Sequence, residues 1–312
     1  MNRQKRNNYA LNGSFHTLEI KSQEVTPTKE KPVSNCITTR INQNGTIATS
    51  KINPNKLDGD IFSFNDFKKA FTTILEESGI REYRMTRADL RLDNYDKEHY
   101  LAFAKLNKYI LSALALTYSV KNRYKTVELI SENQLSIAIK NDYFEVENYD
   151  RAAKSEITGN TTEPAQARFE ERTTAKQWRK LNEGIDFFES DWNFQLLKQE
   201  FTSGWETRWQ KARENLKLVQ EVYNEELVKK YHKGKNSYPV QFRTLTDFLI
   251  CYQESIFTSM QMVDLLKRLG IENAEDRAKY HKKKYGIEYF SQADVDFAIK
   301  EIKRATKTYF EN

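Results

Sequence analysis

The chain has 312 residues, 38% hydrophobic and 30% charged, with 10 Gly and 5 Pro. Such a composition fits a water-soluble chain with a core and excludes collagen-like, low-complexity and fibrous architectures. Lys and Arg number 50 against 44 Asp and Glu, and this net charge of +6 is a mild basic excess that attracts polyanions without identifying one.

The first residues are polar and charged, with no apolar run, so a basic arm over residues 1–12 is expected and no signal peptide is visible. Phe15–Ile20 reads as a strand. Cys36–Ile41 and Thr46–Ile52 flank Asn44-Gly45, which is a hairpin signal. Ser63 suits an N-cap for a helix with Phe64, Phe67, Phe71, Ile74 and Leu75 on one face, and Gly79 ends it. Arg84–Asp93 alternates as a strand, and a Leu- and Ala-rich helix follows from about Lys97 to Ser119. Strands are expected over 126–131, 135–140, 143–149 and 167–173, with a polar loop over 155–164. Beyond about Gln177 the pattern turns helical: 190–201, 206–231, 245–269 and 292–309, the last opened by a capping box of Ser291 and Asp294. The fold class is therefore α+β: an antiparallel central sheet with flanking helices, then a mainly helical C-terminal part. The expected division is an arm over 1–12, a sheet domain over 13–180 and a helical domain over 181–312.

Cys36 and Cys251 lie far apart, and His16, His99, His232 and His281 show no HxH or HxxxH spacing, so neither a disulfide framework nor a histidine zinc site is expected. The longest apolar stretch, 109–118, is too short to span a membrane, and a cytoplasmic location is expected. Basic residues gather at Arg3, Lys5 and Arg6, at Lys229, Lys230, Lys233 and Lys235, and at Arg277, Lys279, Lys282, Lys283 and Lys284. Each cluster reads either as a solvated helix end or as a polyanion contact.

Three segments carry chemistry. On a strand, alternate residues share a face, so Arg87, Asp89, Arg91 and Asp93 point one way while Ala88, Leu90 and Leu92 pack on the other. Arg168, Glu170 and Arg172 repeat the theme of an acid between arginines. Either both faces are charge ladders that neutralise themselves, or together they hold a divalent cation and a phosphate. The third segment is Phe144–Arg151, where Tyr149 ends a strand ahead of Arg151 and Lys154. A phenol attacks phosphorus only when a base or cation activates it.

Asn53-Pro54-Asn55-Lys56-Leu57, Thr86–Asp93, Tyr149-Asp150-Arg151 and Arg168-Phe169-Glu170 occur in this order with plausible gaps. In that collinearity the chain resembles, over roughly residues 50–175, the replication initiation factor (Rep_trans) family: rolling-circle initiators of small bacterial plasmids and related conjugative relaxases. The resemblance implies a site-specific DNA strand-nicking and joining protein. Its tyrosine would form a 5′-phosphotyrosine link and leave a free 3′-hydroxyl at a single-stranded nick site in a replication origin. It implies Tyr149 as nucleophile, with Tyr143 as the alternative, and Mg²⁺ or Mn²⁺ held by Asp89, Asp93 and Glu170. Arg87 and Arg168 would be phosphate or structural partners, Arg91 would contact DNA or pair with the acids, and Arg151 and Lys154 would contact DNA. It also implies a homodimer and a host helicase as partner; separately, the helical C-terminal part is expected to serve origin binding or assembly. There Phe257–Leu269 followed by Asn273–Tyr285 reads either as a helix-turn-helix-like pair or as an ordinary helical hairpin. Arg151 in place of Lys, Asn148 and Arg91 depart from the family pattern. Rival readings are a relaxase with the same chemistry, a non-catalytic DNA-binding accessory protein, and a metal nuclease using water.

Overall fold

The Arg84–Asn94 segment alternates charged and apolar residues, and it forms the middle strand of the sheet, buried over most of its length. The computed structural model describes residues 11–23, 32–96, 98–118, 137–151, 165–182, 187–236 and 244–312. The expected strand over 126–131, the loop over 155–164, and Arg3, Lys5, Arg6 and Lys154 lie outside the described residues. Seven strands are described: β1 (Leu11–Ser22), β2 (Ile37–Ile41), β3 (Ala48–Ile52), β4 (Arg84–Asn94), β5 (Ile137–Lys140), β6 (Phe144–Asp150) and β7 (Ala167–Thr173). They form one sheet in the order β2-β3-β1-β4-β7-β6-β5. Its antiparallel ladders join β1 to β3 and β4, β2 to β3, and β7 to β4 and β6. The architecture is α+β, with helices flanking the sheet and a helical C-terminal part.

β1 reaches further than the chemistry of its side chains suggests. Leu11 and Asn12, expected in a loose arm, pair with Asn94 and Asp93, because the long β4 offers ladder hydrogen bonds up to its end. The β1–β4 register also slips between Phe15, opposite Leu90, and Thr17, opposite Asp89. This bulge shifts the parity of the strand. Phe15 and Leu18, three residues apart, consequently both face the apolar side, and His16 is the extra residue.

The apolar face of the sheet is packed by aromatic rings. Helix α1 (Asn55–Asp58) leads to α2 (Phe64–Glu77), capped by Ser63, whose hydroxyl accepts from Asp66 N at 3.1 Å. Gly79, at φ +69°, supplies the left-handed turn that ends it. The Phe15 ring lies 4.9 Å from Phe67, 5.2 Å from Phe201, 5.6 Å from Tyr309 and 5.9 Å from Phe310. Phe64 and Phe71 stack on either side of Phe67.

The chain separates into two compact units whose boundaries differ from the expected break near residue 180. The sheet unit comprises Tyr9–Tyr100, Lys140–Thr207 and Glu301–Asn312; the helical unit includes Leu101–Ile139 and Arg208–Lys300. The physical reason is in the side chains. Phe194 and Phe201 join the aromatic cluster of the sheet, as do Tyr309 and Phe310. Helix α3 (Tyr100–Tyr118), although it follows β4 in the chain, is buried on nearly every side within the helical unit. There Tyr109 stacks on Phe257 at 4.8 Å, and Ser112 hydrogen-bonds Tyr223 at 3.0 Å.

The remaining helices are α4 (Ala175–Leu181), α5 (Ser190–Gln199), α6 (Trp205–Glu214), α7 (Leu216–Asn236), α8 (Leu245–Cys251), α9 (Ser259–Arg268), α10 (Ala274–Tyr285) and α11 (Gln292–Glu311). A wide π-type turn, Glu200–Gly204, joins α5 to α6 without interruption. The single helix expected over 245–269 is two, because Thr258 starts α9 as an N-cap, accepting from Gln261 N at 3.1 Å. The expected box of Ser291 and Asp294 is formed. α9 and α10 follow one another across a short turn containing Gly270 and Asn273, both at positive φ. Among the described residues no helix is long and apolar enough to cross a membrane.

Replacing the buried Phe15 by Ala removes the ring at the centre of this cluster and is expected to cost about 3–5 kcal/mol. Urea titration of the variant measures it; a loss well below 1 kcal/mol would show that the cluster does not hold the sheet.

Candidate active site

The other face of the sheet is a lattice of charges in three rungs. The first runs Asn12, Asp93, Arg168, Tyr149 across β1, β4, β7 and β6; the second runs Ser14, Arg91, Glu170, Glu147; the third runs Thr17, Asp89, Arg172, Glu145. A two-residue side-chain period along β4, β7 and β6, together with the bulge that carries β1 from Ser14 to Thr17, puts all twelve on one face.

Asp89, Arg91, Asp93, Arg168, Glu170 and Tyr149 are all buried, so each charge needs a partner. Arg168 grips Asp93 with two bonds, Nε to Oδ1 at 2.5 Å and Nη2 to Oδ2 at 3.0 Å. Arg172 reaches Asp89 at 3.0 Å, Glu145 at 2.9 Å and Glu170 at 3.5 Å. Arg87, at the rim, closes on Asp89 at 2.9 and 2.5 Å. The Nε of Arg91 is 3.3 Å from Asp93, and its Nη2 is bonded to Asp60, on the loop between α1 and α2.

Tyr149 donates its phenolic hydrogen to Glu170 Oε1 at 3.0 Å. Burial and then the Glu170 charge push the phenol above its ordinary range, while Arg168 pulls the other way. At neutral pH the phenol therefore keeps its proton, with a carboxylate in place to receive it.

The expected site residues are thus sorted. Arg87, Asp89, Arg91, Asp93, Arg168, Glu170 and Tyr149 come together on one face. Tyr143 does not join them: it precedes β6, is exposed, and carries the ammonium of Lys176 4.7 Å from its ring centre. Arg151 follows β6, donating its backbone N–H to Gln166 O at 3.0 Å. Lys154 lies outside the described residues. The three carboxylates expected to hold Mg²⁺ or Mn²⁺ do not fit a cation site in this arrangement. Asp89 and Asp93 are separated along β4 by Arg91 and each is bound by guanidinium groups; Glu170 is engaged by Tyr149 and Arg172. Among the described residues no three His, Cys, Asp or Glu side chains group as a metal site.

Four contributors escaped the sequence reading. His16 is delivered by the bulge, and its ring nitrogen lies 2.9 Å from Thr17 Oγ1. Burial, then the nearby charges of Arg91 and Arg168, push its pKa down to about 4, against opposing pulls from Asp89 and Asp93. Tyr95, just past β4, has its phenol pushed up to about 12 by burial and by Asp93 and Asp60. Asp60 and Glu147 complete the set. Only a bulge or a loop path brings His16 and Asp60 here, and neither leaves a spacing signature. Glu147 was visible as a same-face neighbour of Tyr149.

The neutral state of His16 links the site to acid stability. Between about pH 6.5 and 4 the unfolded imidazole binds a proton that the folded one refuses, so stability falls as pH drops through that window, by on the order of 3 kcal/mol. His16→Gln is expected to flatten this part of the pH–stability curve; an unchanged slope would show that His16 is not held neutral.

Comparison with known proteins returns no matching family model, curated protein or solved structure.

Proposed function

We propose that this protein is a rolling-circle replication initiator that cuts one DNA strand by transferring a backbone phosphate to Tyr149. The observation that carries the reading is the Tyr149–Glu170 hydrogen bond of 3.0 Å on a face lined by guanidinium groups. In this reading the phenol is the nucleophile, the carboxylate its base and the guanidiniums the anion-binding surface. The sequence resemblance points to the same residue.

In this reading Glu170 takes the phenolic proton as Tyr149 Oη bonds to phosphorus. The P–O3′ bond breaks, and O3′ leaves with a proton from solvent as a free 3′-hydroxyl, the 5′-phosphate remaining on Tyr149. Arg91 and Arg168 offer N–H donors to the non-bridging oxygens, on which negative charge accumulates in the transition state. Because these donors are held by the sheet, they need little reorganisation as the charge develops. Rejoining reverses the sequence: a 3′-hydroxyl attacks the phosphotyrosine, and the phenol recovers its proton from Glu170. The carboxylates expected to hold a cation are engaged by arginines, so these steps are written with the chain's own residues.

The test uses labelled single-stranded oligonucleotides drawn from the DNA that flanks the coding sequence, with Mn²⁺ present so that a cation requirement cannot mask activity. Wild type is expected to give a protein–DNA band that survives denaturation, and Tyr149→Phe is expected to lose it while still binding DNA. Tyr143→Phe is expected to retain it. A full-strength adduct from Tyr149→Phe would remove Tyr149 as the nucleophile.

A further inference from the structure

Among the four guanidiniums of the charged face, Arg91 takes a partner from beyond the sheet. Arg87 pairs with Asp89, Arg168 with Asp93, and Arg172 with Asp89, Glu145 and Glu170, all of them strand residues. Arg91 lies on the central strand and is itself buried. One edge of its fork is 3.3 Å from Asp93, a carboxylate that Arg168 already holds through two bonds. The other edge is bonded to Asp60, whose side chain is 47% exposed. A buried cation cannot stay bare. Asp60 supplies the anion that lets Arg91 sit inside, and it does so from the solvent side.

We propose that Asp60 is a built-in occupant of a phosphodiester-binding position at Arg91, displaced when single-stranded DNA enters. A carboxylate and a phosphate present the same pair of oxygens to a guanidinium, and the phosphodiester does so as part of a longer polyanion. The surroundings of Asp60 fit an exchange of this kind. Its backbone is pinned on both sides: Asn55 accepts from Ile61 N at 2.8 Å and from Ser14 at 3.0 Å, and donates to Phe15 O at 2.7 Å. Ser63 caps the helix that follows. Between these anchors Gly59 sits at φ +87°. Asp60 can therefore swing its side chain into solvent with no sheet or helix hydrogen bond broken. Beside it runs a groove of about 610 Å³ that Asp60, Ile61, Phe62 and Lys69 help to line. Phe62 is 42% exposed, a ring on which a base can stack next to the phosphate held by Arg91.

This inference rests on the reading of the charged face as a DNA-cutting site, and it makes Asp60 a gate on binding rather than a group in the reaction. Fluorescence anisotropy of a short labelled single-stranded oligonucleotide, with the full-length chain in the Tyr149→Phe background, measures binding without cleavage. Asp60→Asn removes the competing charge but keeps the side chain's size, and is expected to bind roughly tenfold tighter. Phe62→Ala is expected to bind several-fold more weakly. Unchanged or weaker binding by Asp60→Asn would overturn the proposal. Should that variant fold poorly, its melting temperature offers a second reading: inorganic phosphate is expected to raise it more than it raises that of the parent chain, and equal shifts would overturn the proposal. A tightened Asp60→Asn together with no covalent adduct in any Tyr149 chain would leave the anion site standing and sink the nicking function. An adduct in wild type with unaltered affinity in Asp60→Asn would do the reverse.

Discussion

The bidentate pair of Arg168 and Asp93, buried across the central ladder, is the interaction on which the sheet's arrangement depends. An ionised carboxylate and a guanidinium so far from solvent persist only if each meets the other in good geometry, and breaking such a pair by removing one partner costs about 3–5 kcal/mol. That requirement fixes β4 against β7. A slip of one residue would turn Asp89, Arg91 and Asp93 toward the aromatic cluster and expose Ala88, Leu90 and Leu92. The same constraint extends outward, since Arg172 joins β4, β7 and β6 through Asp89, Glu170 and Glu145.

A face built this way is densely paired and buried. Its arginines are aimed by neighbouring acids rather than by a ligand. The same lattice sets the state of Tyr149. Burial and Glu170 keep the phenol protonated, and the carboxylate that raises its pKa is the one placed to take its proton. His16 stays neutral beside two arginines for a related reason: a further positive charge on this face would be both desolvated and repelled. One set of contacts thus sets both the pairing of the strands and the protonation of Tyr149 and His16.

The helical unit is tied together differently, by hydrogen bonds from side-chain amides. Gln220 joins Tyr109 at 2.6 Å to Thr258 at 3.0 Å, and Asn224 reaches Gln261 O at 3.0 Å and Asp264 at 2.7 Å. These groups tie α3 and α7 to the start of α9, the point at which a continuous helix had been expected to run through. The cap at Thr258 and the partners of Gln261 explain why it does not.

Much could be read from the chain alone, because period-two alternation and cap chemistry are local. The strands Arg84–Asn94 and Ala167–Thr173, the Ser63 and Ser291 caps, the Asn-Gly hairpin and the shared face of Arg87, Asp89, Arg91 and Asp93 all follow from residues within a few positions of one another. Which strands are neighbours does not follow, since pairing depends on contacts between residues far apart in the chain. The structure alone puts Tyr149 opposite Arg168 and within reach of Glu170, slips β1 so that His16 enters the charged face, and brings Asp60 across to Arg91. It also divides the expected cation ligands among arginines. Spacing along a strand says which side chains share a face; only the register between strands decides which charge each of them meets.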